Sequence, residues 1–498
     1  MRSVIRAETA NDNSFRHAGT DEDQEEVLVR CCLINPSWHV RKGNIWSQIR
    51  ATMPSLGLLY LAATLEREGI AVTVIDFQAE ILGWEGMESR LQRETFDIYG
   101  ITVTTPLAHN AYRLARLIKK HHPSAMVVLG GVHATSLPEE ALACDAVDYV
   151  VRGEGEEVFL RLVRGDPPEH IHGLSYRAEE GIRHQGPDGL INDLDTLPFP
   201  AFHLVNLDLY RPAVGSYKRL PAINITTTRG CPGKCTFCNS ADIKLRKRSA
   251  ELIFADMVKL SQQYGRREIA FYDDTFTVFP SNIKKLCDLL QKNAIDLTWS
   301  CFARVDCVSR DLLISMKKGG CHQIMFGIES SNETILNNIK KPMSLEKNHA
   351  VVRMAQEAGL TVRCTFMFGN PGETEETVEQ TIKYAIKLDP DIAVFNVTTP
   401  YPGTELFAWA KAGGYLLTEN WDDYDLSRTV MQLPSVSPEY LEASLRTAYR
   451  KFYQRPSTIW RKVKRLSSWS ELINLVQGGA SLVKYMIAVH ILKNRNME

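Results

Sequence analysis

The sequence predicts an α/β protein of two modules in tandem: a doubly wound parallel sheet, then a partial barrel of six βα units, with a helical region after it. Three observations lead there. Over residues 25–165 short β-branched runs alternate with helical periods, the rhythm of a parallel sheet covered on both faces. Over residues 221–437 that alternation recurs six times, at about 30 residues per unit, short of the eight units that close a full barrel. Between the two, residues 166–220 are rich in Pro, Gly, His and Asp and lack sustained periodicity, as expected of a linker.

In the first module strands are expected at 27–34, 72–77, 98–104, 126–129 and 149–151, each a continuous apolar run of the parallel type. The helix between the first two is read from Leu58, Leu59, Leu61, Ala62 and Leu65, with Gly69 as its stop. The linker holds room for a small hairpin around 174–183. In the second module strands are expected near 222–227, 268–272, 297–302, 323–327, 361–368 and 393–398. Residues 438–498 read as helices. Ligands of such sheets gather at the carboxyl ends of the strands, so functional residues are sought there.

Composition narrows the function. Across 498 residues, 58 Lys plus Arg balance 59 Asp plus Glu, which leaves no global field to attract nucleic acid and favours a small-molecule substrate. The first 24 residues are polar and of mixed charge, and nowhere do 18 apolar residues run together. Neither a signal peptide nor a membrane span is expected, and the cytoplasm is the expected location. Lys451, Arg455, Arg461, Lys462, Lys464, Arg465, Lys484, Lys493 and Arg495 face only Glu471 and Glu498 in the tail, a basic stretch suited to a solvated helix face or to peripheral membrane contact. Most of the eleven cysteines, including Cys31, Cys32, Cys287, Cys301, Cys307, Cys321 and Cys364, are scattered as small buried hydrophobes would be.

One cluster differs. Cys231, Cys235 and Cys238 lie within eight residues on a glycine-punctuated loop that follows an apolar strand. Three thiolates on a short loop suit three irons of a cubane cluster and leave the fourth iron open. Tetrahedral zinc would need a fourth Cys or His, which only a distant residue could supply. After the later strands come Tyr272-Asp273-Asp274-Thr-Phe, Trp299-Ser-Cys-Phe-Ala-Arg304, Phe326-Gly-Ile-Glu329-Ser and Phe368-Gly369-Asn-Pro-Gly-Glu373. Taken singly, each could be helix capping, an ion pair or turn chemistry.

The Cys-x-x-x-Cys-x-x-Cys spacing, with Phe237 before the third cysteine, and this ordered recurrence at strand ends resemble the radical S-adenosylmethionine superfamily. The resemblance implies a 4Fe-4S cluster on Cys231, Cys235 and Cys238, whose open iron chelates S-adenosylmethionine and whose electron cleaves it to a 5′-deoxyadenosyl radical. It implies cofactor contacts at Phe237, Asp273, Asp274, Arg304, Glu329 and Gly369, and a reductant such as flavodoxin or ferredoxin.

The first module resembles the Rossmann-like cobalamin-binding domain that precedes many such enzymes and their TIM-like partial barrels. The matching segments are Gly100-Ile-Thr-Val-Thr104-Thr105, Gly130-Gly131-Val-His133-Ala-Thr135 and Gly153-Glu154-Gly155-Glu156, and they imply cobalamin contacts at Thr104, Thr105, Gly130, Gly131, His133, Thr135, Gly153, Glu154 and Gly155. The motif that supplies an axial histidine elsewhere is absent, so a displaced nucleotide tail and no lower histidine are expected. The implied reaction is methylation of an unactivated carbon of a small-molecule intermediate, a bond that side-chain acid–base chemistry does not open. A cobalamin-linked cyclase, ring contraction or rearrangement is the alternative within enzymes, and a non-catalytic sensor the alternative outside them.

Overall fold

The computed structural model describes residues 29–38, 51–213, 215–426 and 428–456. His39 and the basic tail beyond Arg455 lie outside the described residues. The first sheet contains β1 (Arg30–Asn35), β2 (Ala71–Asp76), β3 (Ile98–Thr102), β4 (Met126–Gly130) and β5 (Tyr149–Val151), paired in parallel in the order β2-β1-β3-β4-β5. Each strand is apolar on both faces: Cys31 and Leu33 enter one buried cluster, Cys32 and Ile34 the opposite one. The helix Leu56–Arg67 ends as expected, with Gly69 at φ +76° and the Ile70 N–H returned to Leu65 O at 3.0 Å. The linker hairpin, β6 (Leu174–Ala178) and β7 (Gly181–His184), extends this sheet in antiparallel fashion from β5.

The second sheet begins with β8 (Ala222–Ile225). A two-stranded antiparallel ribbon follows, β9 (Thr228–Cys231) with β10 (Ile243–Lys247), and sequence periodicity gave no sign of it. Then come β11 (Glu268–Phe271), β12 (Thr298–Ala303), β13 (Cys321–Glu329), β14 (Thr361–Phe368) and β15 (Ile392–Val397). These six strands are parallel and in consecutive order, β8 and β15 being the two edges of an open barrel. An edge strand exposes unpaired backbone groups. Here helix Pro438–Tyr453 covers β15: the Tyr453 hydroxyl bonds both N–H and C=O of Ala393 (3.1 and 2.8 Å), and the Tyr449 hydroxyl bonds those of Phe395 (3.2 and 3.1 Å).

The N-terminal end of the barrel is closed by the linker. The buried Glu268 carboxylate accepts from the N–H of Lys218 and of Arg219 (2.7 Å each) and from the Thr298 hydroxyl (3.0 Å), and pairs with His322 at 2.6 Å. Gln323 Nε2 donates to Gly215 O at 2.9 Å. Access to the interior is therefore from the mouth, where the strands end.

Beyond β15 the chain returns to the first sheet. Phe407, Trp421, Tyr424 and Val430 join the buried cluster of Ile34 and Leu129, and Trp421 Nε1 donates to Glu140 Oε1 at 2.8 Å. Cys31, Cys32, Cys287, Cys301, Cys321 and Cys364 are buried as expected and Cys307 is half-buried; burial pushes the Cys31 and Cys287 thiols up to about 12, which keeps them neutral. In the tail, Arg455 is spent on Asp389 (2.9 Å) and Ile386 O (3.1 Å). No helix among the described residues is long and apolar enough to cross a membrane.

Candidate active site

The cysteine loop grows out of β9. Gly230 sits at φ +84°, and a Cβ there would strike the carbonyl oxygens of Ile243 and Lys244 in β10, so only glycine lets the ribbon close. The loop is then fixed by Asp242 N–H to Gly233 O (2.9 Å), Cys238 N–H to Cys235 O (3.2 Å) and Leu406 N–H to Thr236 O (2.8 Å). All three cysteines are partly exposed, as Cys307 is, whereas the remaining ones are buried. Burial raises the pKa of Cys235, and the charges of Lys341 and Arg304 pull it back. Among the described residues no three His, Cys, Asp or Glu converge on one ion position.

The strand ends converge on this loop unevenly. Arg304 reaches it: a Cβ on Gly233 would lie 2.7 Å from Arg304 Nη1 and 3.3 Å from Cys231 Sγ. Its guanidinium is oriented by Asp306 through bonds of 2.9 and 2.7 Å. Glu329 lies buried at the end of β13 with φ +65°; Oε1 accepts from Lys341 at 2.6 Å and Oε2 from the Thr365 hydroxyl at 3.3 Å. Asp274 is exposed at the mouth, whereas Asp273 points the other way. Asp273 is buried and accepts from Thr227 N–H (2.6 Å), Thr227 Oγ1 (2.5 Å) and Thr228 N–H (2.8 Å), so it braces the β8–β9 corner. Phe237 is half-buried and belongs to neither large apolar cluster.

Gly369, at φ +96°, heads a turn organised by Glu373, whose Oε2 accepts from the N–H of Gly369 (2.6 Å) and Asn370 (2.9 Å). Burial pushes the Glu373 carboxyl up to about 7 against the pull of those two donors, and its Oε1 has no partner among the described residues. Between the ordinary value of about 4.3 and 7 the folded chain holds a proton that the unfolded chain has released. This group's share of stability is therefore complete at low pH and declines as pH rises to 7. In denaturant titrations Glu373→Gln should flatten the pH dependence of stability between about pH 5 and 7; an unchanged slope would show the proton lies elsewhere.

The first sheet carries a cavity of about 310 Å³ at its strand ends, walled by Leu33, Leu58, Val128 and Phe159 and rimmed by Gly130, Gly131, Gly153, Glu154 and Gly155. Gly131 (φ +98°) and Gly153 (φ +74°) are required: a Cβ on the first would meet Val103 O at 2.8 Å, on the second Gly189 O at 2.5 Å. At Gly100 a Cβ would fill the cavity wall, 2.8 Å from Leu33 and 3.2 Å from Phe159. An apolar slot of this size accepts an inserted arm such as a displaced nucleotide tail, while a whole macrocycle exceeds it. The residues present fit cobalamin in that sense.

Not every expected contact lies there. Thr104 is exposed beside the rim, and Thr135 is spent accepting from Gly153 N–H at 3.0 Å. Thr105 and His133 are buried together (3.3 Å); His133 stacks edge-on against Trp421 and lies 3.6 Å from Glu140. Neither lines the cavity, and among the described residues no histidine does. The Glu154 carboxylate turns from the rim to Arg246 (2.7 and 2.9 Å), Arg229 (3.3 Å) and the Ile191 N–H (2.7 Å).

Sequence reading missed what joins the two halves. Thr226 and Arg229, which flank the start of the cysteine ribbon, also line the cavity of the first sheet. Arg229 pairs with buried Glu156 at 2.5 Å and lies over the Tyr60 ring at 5.4 Å. Lys341 and Thr365, the partners of Glu329, were missed as well, because no local signal marks a residue that acts through another.

Two α/β bodies with a glycine-rimmed slot in one and three partly exposed thiols in the other define an enzyme that pairs a corrin with an iron–sulfur cluster. Family models bear this out: the B12 binding domain matches residues 45–163 and the Radical SAM superfamily residues 225–385. The chain is 38% identical over 426 residues to an uncharacterized methyltransferase of Pyrococcus horikoshii, covering 83% of this chain and 91% of that one. It is 26% identical over 439 residues to the anaerobic magnesium-protoporphyrin IX monomethyl ester cyclase of Rubrivivax gelatinosus, covering 85% and 77%. Among solved structures, the cobalamin-dependent S-adenosylmethionine radical enzyme OxsB, with aqua-cobalamin and S-adenosylmethionine bound, superposes with a TM-score of 0.70 at 16% identity, over 94% of this chain and 72% of that one. The chain belongs to the cobalamin-binding radical S-adenosylmethionine enzymes, and its cofactors are a 4Fe-4S cluster, S-adenosylmethionine and cobalamin.

Proposed function

We propose that this chain methylates an unactivated carbon of a small organic molecule in the cytoplasm, drawing electrons from a reductant such as flavodoxin or ferredoxin. The observation that supports it most is the shared wall: Thr226 and Arg229 line the slot of the first sheet while leading into the ribbon that ends at Cys231. When bound, the three cofactors supply one-electron cleavage of S-adenosylmethionine and a methyl carrier. The protein does the rest by placement. Cys231, Cys235 and Cys238 would hold three irons of the cluster, and Arg304, fixed by Asp306, lays positive charge beside the thiols. Glu329 offers the mouth a carboxylate whose direction Lys341 and Thr365 set. At the opposite end the linker is tied to the barrel through Glu268, which accepts from the N–H of Lys218 and Arg219.

Anaerobic incubation with methyl-labelled S-adenosylmethionine, reductant and small-molecule extract tests this reading, which expects label in a product. Deoxyadenosine without label transfer would favour the second reading, a cyclisation or rearrangement, which the cyclase relative supports. Glu329→Gln should weaken S-adenosylmethionine binding about tenfold or more, the worth of one charge-assisted hydrogen bond, with iron content unchanged. Equal affinity by equilibrium dialysis would remove Glu329 from the cofactor site. The basic tail is proposed as a peripheral contact with an anionic membrane surface, which vesicle co-sedimentation with and without residues 457–498 would test.

A further inference from the structure

Among the charged side chains directed into the barrel, Arg304 is matched by Asp306 and Glu329 by Lys341. Arg363 differs. On β14 the residues Val362, Cys364, Phe366 and Phe368 enter the buried core between sheet and helices, so Arg363, Thr365 and Met367 face the interior. The Arg363 side chain is half-buried, its Nε is shielded, and among the described residues no carboxylate pairs with it and no oxygen accepts from it. The titratable groups that act on it are Tyr453, Tyr449 and Tyr272, all uncharged at neutral pH. The hydroxyls of the first two already serve the backbone of β15.

Strand register shows what surrounds it. Met325 and Ile392 lie opposite Arg363 on the neighbouring strands, Phe302 lies opposite Met325, and Tyr272 follows Phe271, the partner of Cys301. One layer of the barrel is therefore Tyr272, Phe302, Met325, Arg363 and Ile392, a single cation among apolar side chains. Tyr272 and Phe302 meet edge to face at 5.8 Å, and Tyr272 is 44% exposed although it is aromatic and within the barrel. Two residues further along β14, about 7 Å nearer the mouth, Thr365 holds Glu329. The layer thus lies directly beneath the cofactor-facing residues and above the closed floor.

A half-buried charge without a counter-charge is costly, and natural sequences keep one where a ligand completes the pair. The planar guanidinium fork fits a carboxylate or a phosphorus oxyanion with two parallel bonds. We propose that Arg363 anchors an anionic group of the substrate, a carboxylate, phosphate or phosphonate, while Tyr272, Phe302 and Met325 hold an apolar body that leads from that anion toward the mouth. This rests on the reading that the barrel mouth is where the substrate reacts.

The test uses anaerobic, iron-replete protein titrated with propionate, methylphosphonate and, at matched ionic strength, chloride, followed by thermal unfolding and by tyrosine and tryptophan fluorescence. At least one organic anion should give a saturable response that chloride does not, and its identity separates carboxylate from phosphorus chemistry. Arg363→Gln should weaken that response at least tenfold while keeping iron content and S-adenosylmethionine affinity. Arg363→Met should unfold at or above the wild-type temperature, because it removes an uncompensated charge. The proposal is overturned by an undiminished response in Arg363→Gln, by no saturable response to either anion in the wild type, by lost S-adenosylmethionine affinity, or by a clear drop in stability of Arg363→Met. The methyl-label experiment is independent: its failure with anion binding intact would sink the transfer reading and leave the anchor standing.

Discussion

Cys235→Ala will abolish the cluster while leaving the chain folded. Cys235 is partly exposed on a loop whose shape rests on backbone bonds, Asp242 N–H to Gly233 O and Leu406 N–H to Thr236 O among them, and none of those uses the thiol. Loss of the side chain therefore costs little packing. It leaves two thiolates for a cubane that needs three, and opens a second iron to solvent. After anaerobic reconstitution, iron and sulfide per chain should fall to near background and the visible charge-transfer absorption should vanish, with an unchanged unfolding midpoint for the metal-free protein. A normal cluster spectrum in this variant would refute the assignment of the loop.

Arg229→Met has the second large effect, on stability and on both halves at once. Arg229 lies on β9 two residues before Cys231, with only 16% of its side chain exposed, and faces Glu156, whose side chain is 5% exposed. Removing the cation leaves that carboxylate buried without its partner, which costs about 3–5 kcal/mol. Glu154 keeps Arg246 and is less affected. Arg229→Met combined with Glu156→Gln should recover much of the loss, because no charge is then orphaned, and chemical denaturation of the wild type, the two single variants and the double variant forms the cycle. The single variant should also retain less corrin through purification, since Arg229 walls the slot. A cost below about 1 kcal/mol would mean the pair behaves as an exposed one.

The chemistry-bearing residues were legible in the sequence to different degrees. The triad announced itself because ligands of one cluster must sit on one short loop, so their spacing is a local property. Glycine was legible for the same reason: Gly69 ends a helix, and Gly131 and Gly153 carry positive φ at strand ends, as their sequence contexts suggest. Polar residues at strand ends were harder. Asp273 and Asp274 are neighbours with the same chemistry, yet the turn after β11 buries the first in the β8–β9 corner and leaves the second exposed. His133 and Glu154 lie in segments that resemble cobalamin-binding ones, and each is spent instead on a protein partner, Thr105 in one case and Arg246 in the other.

What the sequence alone determined was the alternation of strand and helix, the two sheets it builds, and the loop with three thiols. These depend on periodicity and short spacing, which act over a few residues. Only the tertiary structure decided that Arg229 would meet Glu156 across 73 residues of chain, that Lys341 would hold Glu329, that tyrosines of helix Pro438–Tyr453 would seal β15, and that Arg363 would face the barrel without a counter-charge among the described residues. Pairing between distant residues depends on how strands twist and sheets dock, and no local pattern carries that information.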